Sequence, residues 1–276
     1  MIKIFIISLV LLACTHLLAQ NKTNMTNKEK AAAVNEAVQK GNPDIIGEIV
    51  REDYIQHTPP VPDGRKGLLR LIQQISNREI PAPVIKNVRI FQDDDFVVLH
   101  HDVQWPNRKI MIEVFRFEDG LAAEHWSGVQ DHPEKTISGH SMVDGATTVN
   151  DKEQTQKNKA LVKSFVETVL IKGQFDKIGD FYHPDIIQHN PYIDNTIEGL
   201  KSGIAGLQKQ GITLQIEKIH YVLGEGNLVL TISEGKFAGK PTAFFDLFRV
   251  ENEKVAEHWD VLQEVPGKMA HNNGMF

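Results

Sequence analysis

A chain of 276 residues, 41% hydrophobic and 24% charged, has room for one large domain or two of about 130 residues, and its composition excludes extended disorder and fibrous architectures. Its 30 Lys and Arg against 36 Asp and Glu give a formal charge of −6, which offers no field to hold a nucleic-acid backbone or an anionic membrane surface. The single cysteine, Cys14, lies near the amino terminus, so the remaining chain has no thiol for a disulfide, a zinc–thiolate site or a nucleophile, and its chemistry falls to histidines, carboxylates and hydroxyls.

Residues 1–19 read as a secretory signal: Lys3, an apolar run from Ile4 to Leu12, then small residues. The run falls short of the roughly 20 apolar residues that span a bilayer, and Asn21 to Lys30 is polar. Export to the periplasm or the extracellular space is therefore expected, without a membrane span. Two cleavage sites compete. Leu11-Leu12-Ala13-Cys14 resembles a lipobox and would leave a lipoprotein anchored at Cys14, whereas Leu17-Leu18-Ala19 before Gln20 resembles an ordinary signal-peptidase site and is preferred.

The rest of the chain repeats. Asp53-Tyr54-Ile55-Gln56-His57-Thr58-Pro59 is answered by Asp185-Ile186-Ile187-Gln188-His189-Asn190-Pro191, with 189 − 57 = 132. Glu124-His125-Trp126 with Gln130 is answered by Glu257-His258-Trp259 with Gln263, with 258 − 125 = 133. Pro133, Lys135 and Met142 meet Pro266, Lys268 and Met275 at the same spacing. Two landmarks in one order at a nearly constant offset imply tandem copies at 27–143 and 157–276. Between them, residues 144–156 are polar and without apolar period, which reads as a linker.

Each copy carries the same predicted elements. In copy 2, Leu161, Phe165 and Val169 mark a helix over Lys157–Ile171, a short helix follows over Phe175–Tyr182, and a third over Gly199–Gln210. Four β-rich runs then alternate with turn residues: Ile212–Val222, Leu228–Phe237, Thr242–Val250 and Lys254–Gln263. Three helices before a curved antiparallel sheet make an α+β class, with the sheet wrapping the helices around one pocket per copy.

On the last strand of copy 2, His258 and Asp260 share a face, their Cα atoms about 6.6 Å apart, and both can address one small ligand. A carboxylate in an apolar concavity is raised in pKa and can exchange protons near neutral pH. His189 and Asn190, before the turn made by Pro191, are candidates to hydrogen-bond a substrate carbonyl, and Tyr192 is a candidate at the pocket mouth. In copy 1, His100 and Asp102 share a strand face with His101 on the other, and His57 and His125 are expected to join them in a histidine-rich pocket. No close His-x-x-x-His pair supports a metal there, and no metal or other cofactor is assigned. Trp126 and Trp259 read as core. Phosphate loops and the serine-hydrolase elbow are missing.

Gln188-His189-Asn190-Pro191, Asp246-Leu247-Phe248-Arg249, Glu257-His258-Trp259-Asp260 and the ending Asn272-Asn273-Gly274-Met275-Phe276 together resemble the SnoaL-like polyketide cyclase (predicted aldol-condensation) branch of the nuclear transport factor 2-like superfamily. Both copies share the likeness. It implies two tandem cone-shaped barrels, cofactor-free, with the aspartate of His-Trp-Asp as acid/base, here Asp260. Copy 1 departs from the pattern, since its triplet is His125-Trp126-Ser127, while it keeps His100 where the branch often carries histidine and copy 2 has about Thr231. The expected partner is a small apolar carbonyl compound, acted on through Asp260 and His258; the alternative is a non-catalytic ligand-binding module with degenerate pockets. Such proteins pair through their sheets, and the two copies are expected to pair within one chain.

Overall fold

The computed structural model describes residues 25–276. The expected signal segment and Cys14 lie outside the described residues. Among the described residues no helix is long and apolar enough to cross a membrane.

Copy 1 opens with α1 (Asn27–Lys40). Thr26 and Glu29 cap each other's backbone, Gly41 ends the helix at φ +61°, and Ala31, Val34 and Ala37 form its buried stripe. A one-turn α2 (Ile46–Ile49) leads into β1 (Val50–Gln56), then α3 (Gly64–Ser76), which buries Leu68, Ile72 and Ile75. Four long strands follow: β2 (Val84–Asp93), β3 (Phe96–Trp105), β4 (Asn107–Glu118) and β5 (Leu121–Asp131). Copy 2 repeats the order with α4 (Thr155–Phe165), which runs into a π-helical turn at Val166–Ile171, then α5 (Ile178–Phe181), β6 (Tyr182–Gln188) and α6 (Thr196–Lys209). Its long strands are β7 (Leu214–Glu225), β8 (Leu228–Phe237), β9 (Lys240–Glu251) and β10 (Lys254–Glu264).

Each copy is an α+β cone, a five-stranded sheet curled around its helices, in the orders β1-β5-β4-β3-β2 and β6-β10-β9-β8-β7. The fifth strand corrects the expected four-stranded antiparallel sheet. Segments 50–56 and 182–188 pair with the last strand in parallel, so that Gln56 lies opposite His125 and Gln188 opposite His258. The repeated Gln-His motif is thereby fixed beside the repeated His-Trp motif, the register that builds the site.

Two apolar clusters lie between helices and sheet, one per copy. A third takes Val98, Ile112 and Trp126 from copy 1 with Ile232, Phe245 and Trp259 from copy 2. Contacts across it are reciprocal. The backbone N–H of Val129 donates to Gln263 Oε1 and that of Leu262 to Gln130 Oε1, both at 2.8 Å. Gln92 N–H donates to Glu225 at 2.7 Å, and Gly224 N–H to Asp93 at 3.0 Å. The tails cross as well. Ile137 N–H donates to Pro191 O and Ala270 N–H to Pro59 O, while Met142 and Met275 are both buried in the third cluster.

The stretch read as a linker is tied down. Buried Arg89 donates to the carbonyls of Val143, Asp144 and Ala146, and its guanidinium lies 4.1 Å over the Trp259 ring. Gly145, at φ +86°, passes so close that a Cβ there would stand 2.3 Å from a Glu257 oxygen.

Candidate active site

Alternation along β10 turns His258, Asp260 and Leu262 toward the inside of the copy 2 cone, where a cavity of about 860 Å³ opens between sheet and helices. Its walls are mainly apolar, with Phe165, Leu200, Ile216 and Phe244 among them, and the polar groups gather around Asp246, His258, Asp260 and Asn190. That combination of an apolar concavity with a few convergent polar groups is the usual form of a small-molecule site.

Asp260 is 6% exposed and faces Asp246 directly across the β9–β10 ladder. Asn190 Nδ2 donates to Asp260 Oδ2 at 2.6 Å, whereas Oδ1 has no hydrogen-bond partner among the described residues. Burial, reinforced by the Asp246 charge, pushes the Asp260 carboxyl up to about 6, against the lowering effect of His258 and Asn190. Asn190 is oriented by its own turn, since its Oδ1 accepts the Tyr192 N–H at 2.9 Å. Tyr192 is 66% exposed at the cavity mouth.

His258 is held between two acceptors. Its Nδ1 stands 2.8 Å from Gln188 Oε1 and its Nε2 3.1 Å from Asp246 Oδ1. Gln188 Oε1 also accepts the Asn190 N–H, which identifies it as the oxygen, so both ring nitrogens donate and the ring is an imidazolium. Burial opposes that charge, but the Asp246 hydrogen bond and the charges of Asp260 and Asp246 outweigh it and raise the His258 pKa. One ligand atom from each of Asp246, His258 and Asp260 lies within 4.8 Å of the others, yet with both His258 nitrogens donating, the ring has no lone pair for a metal. In the second grouping, His140, Asp144 and His189, His189 Nδ1 stands 2.9 Å from Ser141 O and 2.7 Å from Asp144 Oδ1.

His189 lies on the other side of the sheet. Its ring stacks on Trp259 at 4.5 Å, and Nε2 stands 3.4 Å from Glu257. Despite the cost of burial, His189, the Ala146 N–H and Arg249 hold Glu257 well below the usual carboxylate range. His57 repeats this geometry in copy 1, stacked on Trp126 at 4.9 Å and placed 2.9 Å from Glu124. Neither histidine reaches its cone's interior, because each follows Gln56 or Gln188 by one residue and alternation turns it outward.

The histidine-rich pocket expected in copy 1 does not form. His100 accepts from Arg89 at 3.1 Å on the face shared with copy 2, where burial first and Arg89 second keep its ring neutral. Asp102 is paired with Arg108 at 2.9 Å. The strand register sets Leu99, not His100, opposite Glu113, as Thr231 lies opposite Asp246, so the copy 2 counterpart of His100 is Ile232. Inside copy 1 the histidines are His125 and His101. Both reach Glu113, at 3.2 and 3.0 Å, and Asn35 adds a third donor at 2.7 Å. Ser127, at the place of Asp260, is tied to Thr58 at 2.7 Å. The copy 1 carboxylate, Glu113, is thus engaged by three partners, while Asp260 of copy 2 has one oxygen without a partner among the described residues.

Sequence reasoning passed over Asp246, Gln188, His101 and Glu113. Asp246 gave no usable signal, since a regular hairpin about Asn252-Glu253 would set it opposite Trp259, and only the register shift between Val255 and Glu257 brings it opposite Asp260.

A family model described as a SnoaL-like domain matches the chain twice, over residues 31–125 and 162–258. Among solved structures, TsrD from Streptomyces laurentii is 17% identical, over 38% of this chain and 92% of its own, with a TM-score of 0.32. IdmH from Streptomyces antibioticus is 20% identical, over 37% and 89%, with a TM-score of 0.32. A SnoaL-like polyketide cyclase from Agrobacterium tumefaciens is 9% identical, over 38% and 91%, with a TM-score of 0.32. No curated protein matches the sequence.

Proposed function

The chain belongs to the SnoaL-like domain family, and on that premise we propose that copy 2 binds a small, largely apolar carbonyl compound and performs acid/base chemistry on it without a cofactor. The observation that carries the reading is Asp260: buried at an apolar cavity, anchored through one oxygen, unpartnered at the other, with a pKa near 6. At pH 7 such a group is mostly ionised and still weakly basic enough to exchange a proton rapidly. Asp260 Oδ1 takes a proton from the carbon beside the carbonyl and returns it after rearrangement, as an isomerisation or an aldol ring closure requires. His258 does not move a proton; its fixed positive charge keeps Asp260 from being protonated outright.

Copy 1 favours a second, non-catalytic role for its own interior. With Glu113 saturated by three donors and Ser127 in place of the aspartate, its polar cluster supports packing rather than turnover. The two copies act as one paired unit in a monomer, a reading supported by the reciprocal contacts at Gln130 and Gln263. Export rests on residues 1–19, and the mass of the mature amino terminus distinguishes cleavage before Cys14 from cleavage after Ala19.

The test is native mass spectrometry of molecules that co-purify, followed by deuterium exchange of small apolar ketones in D₂O. Incorporation beside the carbonyl that requires Asp260 is expected. Saturable binding with no exchange for any ketone bound would leave copy 2 a binding module.

A further inference from the structure

Copy 2's cavity is not walled by copy 2 alone. Gln130 and Ile137, both from copy 1, line it. Ile137 is 62% exposed at the mouth, its N–H bonded to Pro191 O, one residue from Asn190. Gln130 stands at the end of β5, half-buried, beside Leu262 of the cavity wall.

The Gln130 carboxamide has a defined orientation. Its partner is the Leu262 backbone N–H, a donor that only an oxygen can satisfy, so Oε1 accepts at 2.8 Å and Nε2 is the free end. Gln263 makes the mirror-image bond to Val129 N–H, also at 2.8 Å, but it does not line the copy 2 cavity. Of the two clamp residues, Gln130 is the one that also lines the copy 2 cavity. Above pH 6 the neighbouring Asp260 carboxylate accepts hydrogen bonds and donates none, both His258 nitrogens are spent, and Asn190 Nδ2 has one of its two hydrogens committed to Asp260. A ligand oxygen at this end of the cavity needs a donor, and Gln130 Nε2 supplies it.

We infer that copy 1 completes the copy 2 ligand site, Gln130 presenting its carboxamide N–H to a carbonyl or other acceptor on the bound molecule. The inference rests on the reading of copy 2 as a ligand site. Gln130 is a binding residue here and takes no part in proton transfer. A single neutral hydrogen bond discriminates about 2–10-fold between a ligand with the acceptor and one without.

The experiment uses the full chain at pH 8 with two fluorophores: prodan, a dimethylaminonaphthalene bearing a propionyl ketone, and its ketone-free parent. Prodan emission moves to the red when its carbonyl accepts a hydrogen bond, a signature that a purely structural role would not produce. Wild type is expected to favour prodan over the parent about 2–10-fold. Gln130→Glu keeps an acceptor for Leu262 N–H but loses the donor, and Gln130→Leu loses both; each is expected to abolish the preference and shift bound prodan to the blue. Gln263→Glu, the mirror-image control, is expected to retain both properties. Circular dichroism on all three variants reports folding. Saturable prodan binding with unchanged preference and emission in the Gln130 variants overturns the inference alone, as does an equal loss in Gln263→Glu. Failure of wild type to bind either fluorophore overturns both the inference and the ligand-site reading.

Discussion

Asn190 Nδ2 lies 2.6 Å from Asp260 Oδ2, across 70 residues of sequence, and this contact leaves Oδ1 as the carboxylate oxygen without a hydrogen-bond partner among the described residues. The parallel pairing of β6 with β10 makes it possible, by placing Gln188 opposite His258 and so bringing the next two residues beside Asp260. Copy 1 has the same pairing but sets Thr58 against Ser127, two hydroxyls that satisfy each other and leave no base.

Asp260→Asn is therefore expected to lower turnover by about 10²–10⁴-fold, the usual contribution of a general acid/base, while ligand affinity stays within about tenfold. The pH–rate profile of wild type should rise with a midpoint near 6, and the variant should lose that step. Ser127→Ala should leave kcat within about twofold, since a hydroxyl with no base beside it contributes little. Steady-state kinetics over pH 4–9 with a ketone identified by the exchange assay check all three; full activity in Asp260→Asn would assign the chemistry elsewhere.

Much of this was legible in the sequence. The fixed spacing between Gln-His and Glu-His-Trp motifs exposed the duplication, and strand alternation set His258 and Asp260 on one face. The faces of β3 were not legible, because Val97 to His101 are buried on both sides and alternation then has no outside to point to. His100 and His101 were rightly set on opposite faces, but the pocket was placed on the side of His100, whereas it is His101 that joins His125 at Glu113 inside the cone. The fifth strand was missed for a related reason: β1 and β6 are short, polar in the middle and paired in parallel with a strand far along the chain, so no local turn announces them.

The raised pKa of Asp260 also predicts a pH-dependent stability cost. The folded protein holds this proton more tightly than the unfolded chain, whose value is 3.8, so the group's contribution is fully present below pH 3.8 and lost as pH rises through about 6. A shift of this size corresponds to at most roughly 3 kcal/mol. Asp260→Asn, which cannot ionise, should unfold at a higher temperature than wild type at pH 8 and at nearly the same temperature at pH 4. Calorimetry at the two pH values measures the difference; an equal shift at both would trace it to packing instead.

Glu113 carries the opposite sign. Burial alone would raise its pKa, but hydrogen bonds and charge from His101 and His125 prevail and hold it far below the usual carboxylate range. Its stabilisation is present above the ordinary pKa of 4.5 and is lost only as pH falls through that depressed folded value. Glu113→Gln removes the carboxylate on which two buried histidines and Asn35 converge, and losing hydrogen bonds to a buried charged group costs about 1–3 kcal/mol. Urea unfolding at pH 7 should show a loss of that order. Because the polar cluster of copy 1 is closed off from the copy 2 cavity, ligand affinity of the folded variant should change by less than about twofold.

The crossed tails make the last prediction. Met142 belongs to copy 1 by sequence, yet its segment presents Ser141 O to His189 of copy 2 at 2.9 Å; Met275 belongs to copy 2, and its neighbour Gly274 presents its carbonyl to His57 of copy 1 at 3.1 Å. Both methionines are 1% exposed, so truncation to alanine opens a cavity and costs about 2–5 kcal/mol at either position. The two losses should be felt in exchanged places. Met275→Ala releases the grip on His57 and speeds amide hydrogen exchange around residues 57–59, whose Thr58 and Pro59 carbonyls accept from His271 and Ala270 of the same tail. Met142→Ala acts on residues 189–193 instead, loosening the turn that holds Asn190 on Asp260, and so lowers turnover as well as stability. Exchange monitored by mass spectrometry, read beside kcat for both variants, separates the two. Faster exchange confined to each methionine's own copy would mean that the tails do not carry load across the pair.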